Sequence, residues 1–287
     1  MATPFADDGA LDLDGAGTLA RWLVDNGNDG VVVAGTTGES PTLTAVEHLE
    51  LIRAVREAIP DGVVLGGAGS NDTTHAMAMT RTATDMGVDG ILSVTPYYNR
   101  PSQAGLLAHY AAIAECTDLP IMLYDIPGRT GRKIETVTML ALAESYPNIV
   151  AVKDAAGHPG ATAALLARAP EGFEVYSGDD NMTLPLLASG AVGVVGVATH
   201  WAAPIMRRML DAFDSGDHAE ARRLNALMIP SFEFETGDAA PNPVPTKTML
   251  RILGLPGGAC RPPMGPEPDG LEDIGRAILD ELEPHRG

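Results

Sequence analysis

The chain contains three lysines, Lys133, Lys153 and Lys247, and the middle one closes an apolar run, Asn148–Ala155, NIVAVKDA. A lysine amine can lose its proton and attack a carbonyl, whereas a guanidinium cannot. Val150 and Val152 beside Lys153 predict a partly desolvated amine whose pKa falls, the condition for forming a Schiff base. The other reading of Lys153 is a stem snorkelling from a strand end into solvent. Tyr124 stands near the end of an earlier apolar run, Ile121–Pro127. It fits either a core aromatic with a bonded hydroxyl or a phenol that shuttles protons for the amine. Gly35–Ser40, GTTGES, offers close backbone approach and N–H groups at a helix start, which suit a carboxylate or phosphate. The same six residues also fit a capped turn, and they lack the lysine and spacing of a P-loop. Asp179-Asp180 reads as an N-cap for a helix from Met182 onward rather than a metal or acid–base pair. None of the seven histidines sits in a ligand spacing such as H-E-x-x-H, so no metal site is expected.

Seven apolar runs must position these groups: residues 30–35, 63–69, 90–96, 121–127, 149–155, 173–180 and 193–199. Continuous Val/Ile/Leu runs suit strands buried on both faces of a parallel sheet. Between them lie segments with helical spacing; in Thr44–Ile59, Val46, Leu49, Ile52, Val55 and Ile59 predict one apolar side. Runs that recur every 20–33 residues match one βα unit, and seven units predict an α/β (β/α)8 TIM barrel. The eighth unit should begin one repeat before Gly30. Only MATPF and a polar turn precede the Asp14–Asn26 helix there, so the first strand reads as truncated. Residues 1–215 form the expected barrel domain, and 216–287 a C-terminal helical extension broken by PNPVP and RPPMGPEP. Barrel chemistry gathers where the strands end. The predicted ring there comprises Thr36, Thr37, Glu39, Asn71, Tyr97, Tyr98, Tyr124, Arg129, Lys153, Asp154, Asp179 and Asp180.

Net charge is −19, from 38 acidic residues against 19 Lys plus Arg. Nucleic acid and anionic membrane surfaces need a basic face, so neither is an expected partner. The two cysteines, Cys116 and Cys260, form no C-x-x-C motif and fit a reducing compartment. No apolar stretch is long enough to span a bilayer, and MATPFADDGA lacks the basic and apolar regions of a signal peptide. The chain reads as cytoplasmic.

GTTGES, VTPYYNRP, YDIPGRTG, NIVAVKDA, SGDD and PNPVPTK occur in the order and spacing of the dihydrodipicolinate synthases. Over nearly its whole length the chain resembles that family, part of the pyruvate-dependent class I aldolase superfamily that also holds N-acetylneuraminate lyase. The resemblance implies condensation of pyruvate with L-aspartate 4-semialdehyde to 4-hydroxy-tetrahydrodipicolinate in lysine and diaminopimelate biosynthesis. It implies no cofactor beyond the imine with pyruvate, and a homo-oligomer, a dimer or a tetramer of dimers. Lys153 matches the Schiff-base lysine, and Thr37, Tyr124 and Tyr98 match the proton relay, with Tyr98 reaching the neighbouring subunit's site. Thr36 and Thr37 match the pyruvate-carboxylate cradle, Arg129 the group that binds the semialdehyde carboxylate, and Gly178 and Val195 the pocket lining. A guanidinium at 129 suits a carboxylate bidentately, whereas neuraminate lyases take an uncharged sugar aldehyde. His48, Asn71 and Tyr97 match the family's allosteric lysine site. Ala45 and His75 depart from it, standing where a histidine and a carboxylate are usual, so feedback by lysine is not expected. Two further readings remain: a class I aldolase for a sugar-derived keto acid, and a non-catalytic barrel that binds a keto acid.

Overall fold

The computed structural model describes residues 1–285 of the chain. Its strands are β1 (Gly30–Val33), β2 (Val63–Gly67), β3 (Gly90–Val94), β4 (Ile121–Asp125), β5 (Ile149–Asp154), β6 (Glu174–Ser177) and β7 (Gly193–Val194). They hydrogen-bond in sequence order, and every pair from β2 to β7 is parallel. All seven apolar runs therefore became strands. Each strand stops short of its run, because the last residues of the run turn away as the βα loop. The intervening helices are α1 (Leu13–Asp25), α2 (Ala45–Ala58), α3 (Thr73–Asp85), α4 (Gln103–Ala114), α5 (Pro127–Thr130), α6 (Thr136–Ser145), α7 (Pro159–Leu166), α8 (Thr183–Leu187) and α9 (Thr199–Asp214). The C-terminal helices are α10 (His218–Thr236), α11 (Val244–Ile252) and α12 (Leu271–Leu282). Strand, helix and next parallel strand, repeated in order, give the βα barrel architecture with helices added after it.

Two compact units divide the chain, one made of Met1–Val64 with Val197 onward, the other of Leu65–Gly196. In the first, Met1–Pro4 is buried but forms no regular strand. It runs beside β1, with the Met1 amine donating to Val32 O at 2.6 Å. Ala2 N donates to Nε2 of the buried His200, whose Nδ1 lies 2.7 Å from Val197 O. That pairing fixes the neutral tautomer with the proton on Nδ1, and burial pushes the His200 pKa down to about 3.

Helix α2 starts at Thr44, whose hydroxyl accepts from Glu47 N while Glu47 Oε2 accepts from Thr44 N, a reciprocal capping box. Its buried side is Leu51, Ile52 and Val55. Val46 is 65% exposed, so the apolar stripe begins later than its spacing predicts. In α12, Leu271, Gly275, Ile278, Leu279 and Leu282 are buried, the 3-4 spacing of a helix that covers a core with one face. The buried Trp201 of α9 satisfies its indole N–H on Ser231 of α10 at 3.0 Å, so its ring adds apolar area with no orphaned donor.

In the second unit, β4 is buried throughout and β3 nearly so, as a strand covered on both faces should be. Helix α4 turns Leu106, His109, Tyr110 and Ile113 inward. The buried Tyr110 hydroxyl reaches Thr95 Oγ1 at 3.4 Å.

Candidate active site

Parallel pairing sets Lys153 of β5 beside Tyr124 of β4. Partners in register project to the same side of a sheet, and Lys153 Nζ lies 4.3 Å from the centre of the Tyr124 ring. Tyr124 is buried and Lys153 half-buried. The other two lysines are committed elsewhere. Lys133 Nζ sits 2.9 Å from the buried Asp125, whose pKa burial raises against the opposing pull of Lys133. Lys247, 1% exposed, meets Glu39 at 2.5 Å. Lys247 also lies 4.2 Å over the Phe5 ring, so Lys153 differs from its two counterparts in having an aromatic face with no carboxylate beside it, and a cation over a π face is held without being neutralised.

Room for the Lys153 stem comes from Gly178, just past the end of β6. A Cβ there would stand 2.8 Å from Lys153 Cγ and 2.9 Å from its Cε, closer than carbon atoms pack. Gly178 N donates to Asp154 O at 2.8 Å, so the backbone at this point is fixed by the sheet. Val195, directly after β7, is half-buried and donates its N–H to Ser177 O at 2.8 Å. Arg129 lies on the single turn of α5 with its side chain exposed. Tyr98 follows β3 with φ +71°, and its ring is 90% exposed. Positive φ at a non-glycine residue costs on the order of 1–3 kcal/mol. Asn71 O accepts from Asn99 in the same neighbourhood, and His75 is exposed in the first turn of α3.

Thr36 and Thr37 belong to the first unit, in a turn after β1 whose flanks, Ala34 and Glu39, have φ of +55° and +54°. Thr37 Oγ1 accepts from Asn242 Nδ2 at 2.9 Å. The turn does not open α2, as its sequence implies. A 3-10 turn, Ser40–Thr42, comes first, and α2 waits for the Thr44 cap.

Two of the predicted strand-end polar groups are committed elsewhere. Glu39 is 2% exposed and tied to Lys247 and to Arg261 N. Asp154 follows Lys153 on one strand, so the two point to opposite faces, and Asp154 accepts from Thr162 Oγ1 and Ala156 N instead. The expected N-cap for a helix from Met182 is not formed: Asp179 stands at the N-cap position of a 3-10 turn, Asp180–Met182, with no side-chain cap bond, and α8 begins only at Thr183 with Met182 before it. Burial raises the Asp179 pKa, with Asp180 adding to it. Among the described residues, no group of three His, Cys, Asp or Glu side chains is placed to hold a metal ion.

Sequence reading missed Arg261, in a segment that reads as a proline-rich joint. Its guanidinium grips Glu47 at 2.6 Å, Gly9 O and Thr42 O, and lies 4.2 Å over Phe5. That contact brings the Glu47 pKa down to about 2. No local motif announces it, because its partners lie more than two hundred residues away.

The chain matches the dihydrodipicolinate synthetase family over residues 1–280. It is 49% identical to 4-hydroxy-tetrahydrodipicolinate synthase of Moorella thermoacetica, over 98% of this chain and 96% of that one. With the enzyme of the same name from Acidothermus cellulolyticus it shares 52% identity, covering 92% of this chain and 84% of its relative. Among solved structures, dihydrodipicolinate synthase from Cyanidioschyzon merolae with lysine bound superposes with a TM-score of 0.96 at 43% identity, over 99% and 96% of the two chains. The Bacillus anthracis dihydrodipicolinate synthase gives 0.94 at 40% identity, over 98% and 95%. A strand-end lysine laid on a tyrosine face, with a glycine clearing its path, is thus set in a fold shared along nearly the whole chain, and the chain belongs to the dihydrodipicolinate synthetase family.

Proposed function

We propose that this chain catalyses the lyase-type condensation its relatives are named for, joining pyruvate to L-aspartate 4-semialdehyde to give 4-hydroxy-tetrahydrodipicolinate for lysine and diaminopimelate synthesis. The supporting observation is the placement of Lys153, which lies over the Tyr124 face and, alone of the three lysines, is not paired with a carboxylate. Its amine adds to the keto carbon of pyruvate, and loss of water leaves an iminium. Removal of a methyl proton then gives an enamine, which attacks the semialdehyde's aldehyde carbon. The semialdehyde's own amine next adds to the imine carbon and displaces Lys153, closing the ring and freeing the enzyme. Tyr124, Thr37 and Tyr98 are assigned the proton transfers, Thr36 and Thr37 the pyruvate carboxylate, and Arg129 the semialdehyde carboxylate. Gly178 and Val195 line the pocket, Gly178 by staying small. The imine itself is the electron sink, so the reaction as written calls for no further cofactor.

Residues 1–215 are taken as the catalytic barrel and 216–287 as its helical extension. The working form is read as a homo-oligomer, a dimer or a tetramer of dimers, to which Tyr98 contributes across the interface. A cytoplasmic setting is supported by Cys116 and Cys260, both free thiols. Among the described residues no helix is long and apolar enough to cross a membrane.

Two measurements test the reading. Pyruvate with borohydride should leave a reduced adduct that peptide mapping places on Lys153, and pyruvate plus L-aspartate 4-semialdehyde should be consumed together in a coupled assay. An adduct on Lys133 or Lys247 would overturn the mechanism. Cleavage of a sugar-derived keto acid with indifference to the semialdehyde would point to another aldolase.

A further inference from the structure

The C-terminal PNPVPTK segment reaches back to the turn that carries Thr36 and Thr37, and it does so at two places. Lys247 of α11 forms its buried pair with Glu39 at 2.5 Å and donates to Ala259 O at 3.0 Å. Asn242, 9% exposed just before α11, donates Nδ2 to Thr37 Oγ1 at 2.9 Å. The amide has a direction, because the fully buried Thr246 hydroxyl donates to Asn242 Oδ1 at 2.9 Å. With Oδ1 filled by an O–H donor, the amide presents N–H to Thr37. A hydroxyl has one proton to give and accepts through its lone pairs. Thr37 Oγ1 already accepts from Asn242, so its proton is left to be donated outward. Glu39 also accepts from Arg261 N at 2.9 Å, which holds the turn from a third point and leaves hydroxyl rotation as the freedom still to be set.

From this geometry we infer that Asn242 is a positioning residue for pyruvate: with Thr246 it fixes the Thr37 hydroxyl as a hydrogen-bond donor to the substrate carboxylate. The inference rests on the carboxylate role given to Thr37 above. It assigns a binding function to the C-terminal segment, which the barrel alone would not supply. A carboxylate accepts only, so a turn that offers a proton favours it, and a turn whose hydroxyl proton is spent elsewhere presents an oxygen lone pair to an anion.

Asn242→Asp is nearly the same size but can only accept when ionised, so it should capture the Thr37 proton and keep the Thr246 bond. The expected result is a rise of at least tenfold in the KM for pyruvate, with the KM for semialdehyde within twofold and the melting temperature close to that of wild type. Asn242→Ala, which frees the hydroxyl without capturing it, should raise the pyruvate KM less. The added negative charge could act on pyruvate directly, and a cycle with Thr37→Val separates the two routes. If the hydroxyl carries the effect, Asn242→Asp changes the pyruvate KM of the Thr37→Val enzyme less than threefold. A tenfold change that persists without the hydroxyl overturns the inference, as does an Asn242→Asp enzyme with unchanged pyruvate KM or with both KM values raised alike. Wild-type enzyme that traps no pyruvate with borohydride would instead overturn the functional reading on which this rests.

Discussion

Lysine scarcity acquires a physical meaning at the level of single residues. A buried ammonium is costly unless paired, and two of the three lysines meet that condition with Asp125 and Glu39. Lys153 is held by shape and by a π face, which leaves the amine to react once its proton departs. Shape is the more testable part. Gly178→Ala would drive a methyl group to within 2.8 Å of Lys153 Cγ, and Cγ cannot retreat without rotating the stem that aims the amine. Misplacing a reacting group by an ångström costs about a hundredfold. The variant should therefore lose kcat/KM on that scale and trap pyruvate slowly with borohydride, while its melting temperature changes little. Wild-type trapping in this variant would show that the stem has another path. Arg129 makes a contrasting case because its guanidinium is assigned to the second substrate only. Arg129→Ala removes a charge-assisted bond worth about 1.5–3 kcal/mol, about one to two decades in kcat/KM for the semialdehyde. Borohydride trapping of pyruvate should proceed in it at the wild-type rate.

Elements were legible where the signal is local. Unbroken apolar runs such as IMLYD mark strands buried on both faces, and recurrence at one βα unit gives their order. Strand alternation decides one case: neighbours on a strand cannot both face one side, so Asp154 points away from the side of β5 on which Lys153 meets Tyr124. The roles of Glu39, Lys247 and Arg261 were hidden for another reason, since each depends on a partner far along the chain. His200 belongs to this class as well. It opens α9, and its Nε2 accepts from Ala2 N, a contact that requires a neutral ring. Below about pH 6.5 the unfolded chain takes up a proton there, which the folded protein refuses until about pH 3. The site's stability is whole above pH 6.5 and declines as pH falls through that window, by an amount on the order of a few kcal/mol. His200→Gln, which keeps an acceptor but cannot titrate, should lose less stability than wild type between pH 7.5 and 4.5 in urea unfolding. Equal losses would place the acid sensitivity elsewhere, for example at the buried His109, whose pKa burial brings down to about 4.

At the scale of the whole molecule, Tyr98 poses the question of assembly. A tyrosine ring 90% exposed on a backbone at φ +71° combines two costs, since the strain is unrepaid by packing within its own chain. Both are offset if a second copy buries the ring. Tyrosine suits such a contact because its ring adds apolar area while its hydroxyl still makes hydrogen bonds. In a two-fold assembly the same patch meets itself, so the Tyr98 of each chain would serve the Lys153 and Tyr124 of the other. Mixing tests this without any structure of the complex. A Tyr98→Phe chain and a Lys153→Ala chain should each be nearly inactive alone, the first for want of a relay hydroxyl and the second for want of the amine. Mixed into a dimer, one site receives both defects and the other receives neither, so about half the activity of a wild-type dimer should return. The return should follow the fraction of heterodimer, measured by differently tagged chains, and vanish when the chains are kept apart. Verified heterodimers that stay inactive would place Tyr98 at its own chain's site, and full activity of Tyr98→Phe alone would remove it from the relay.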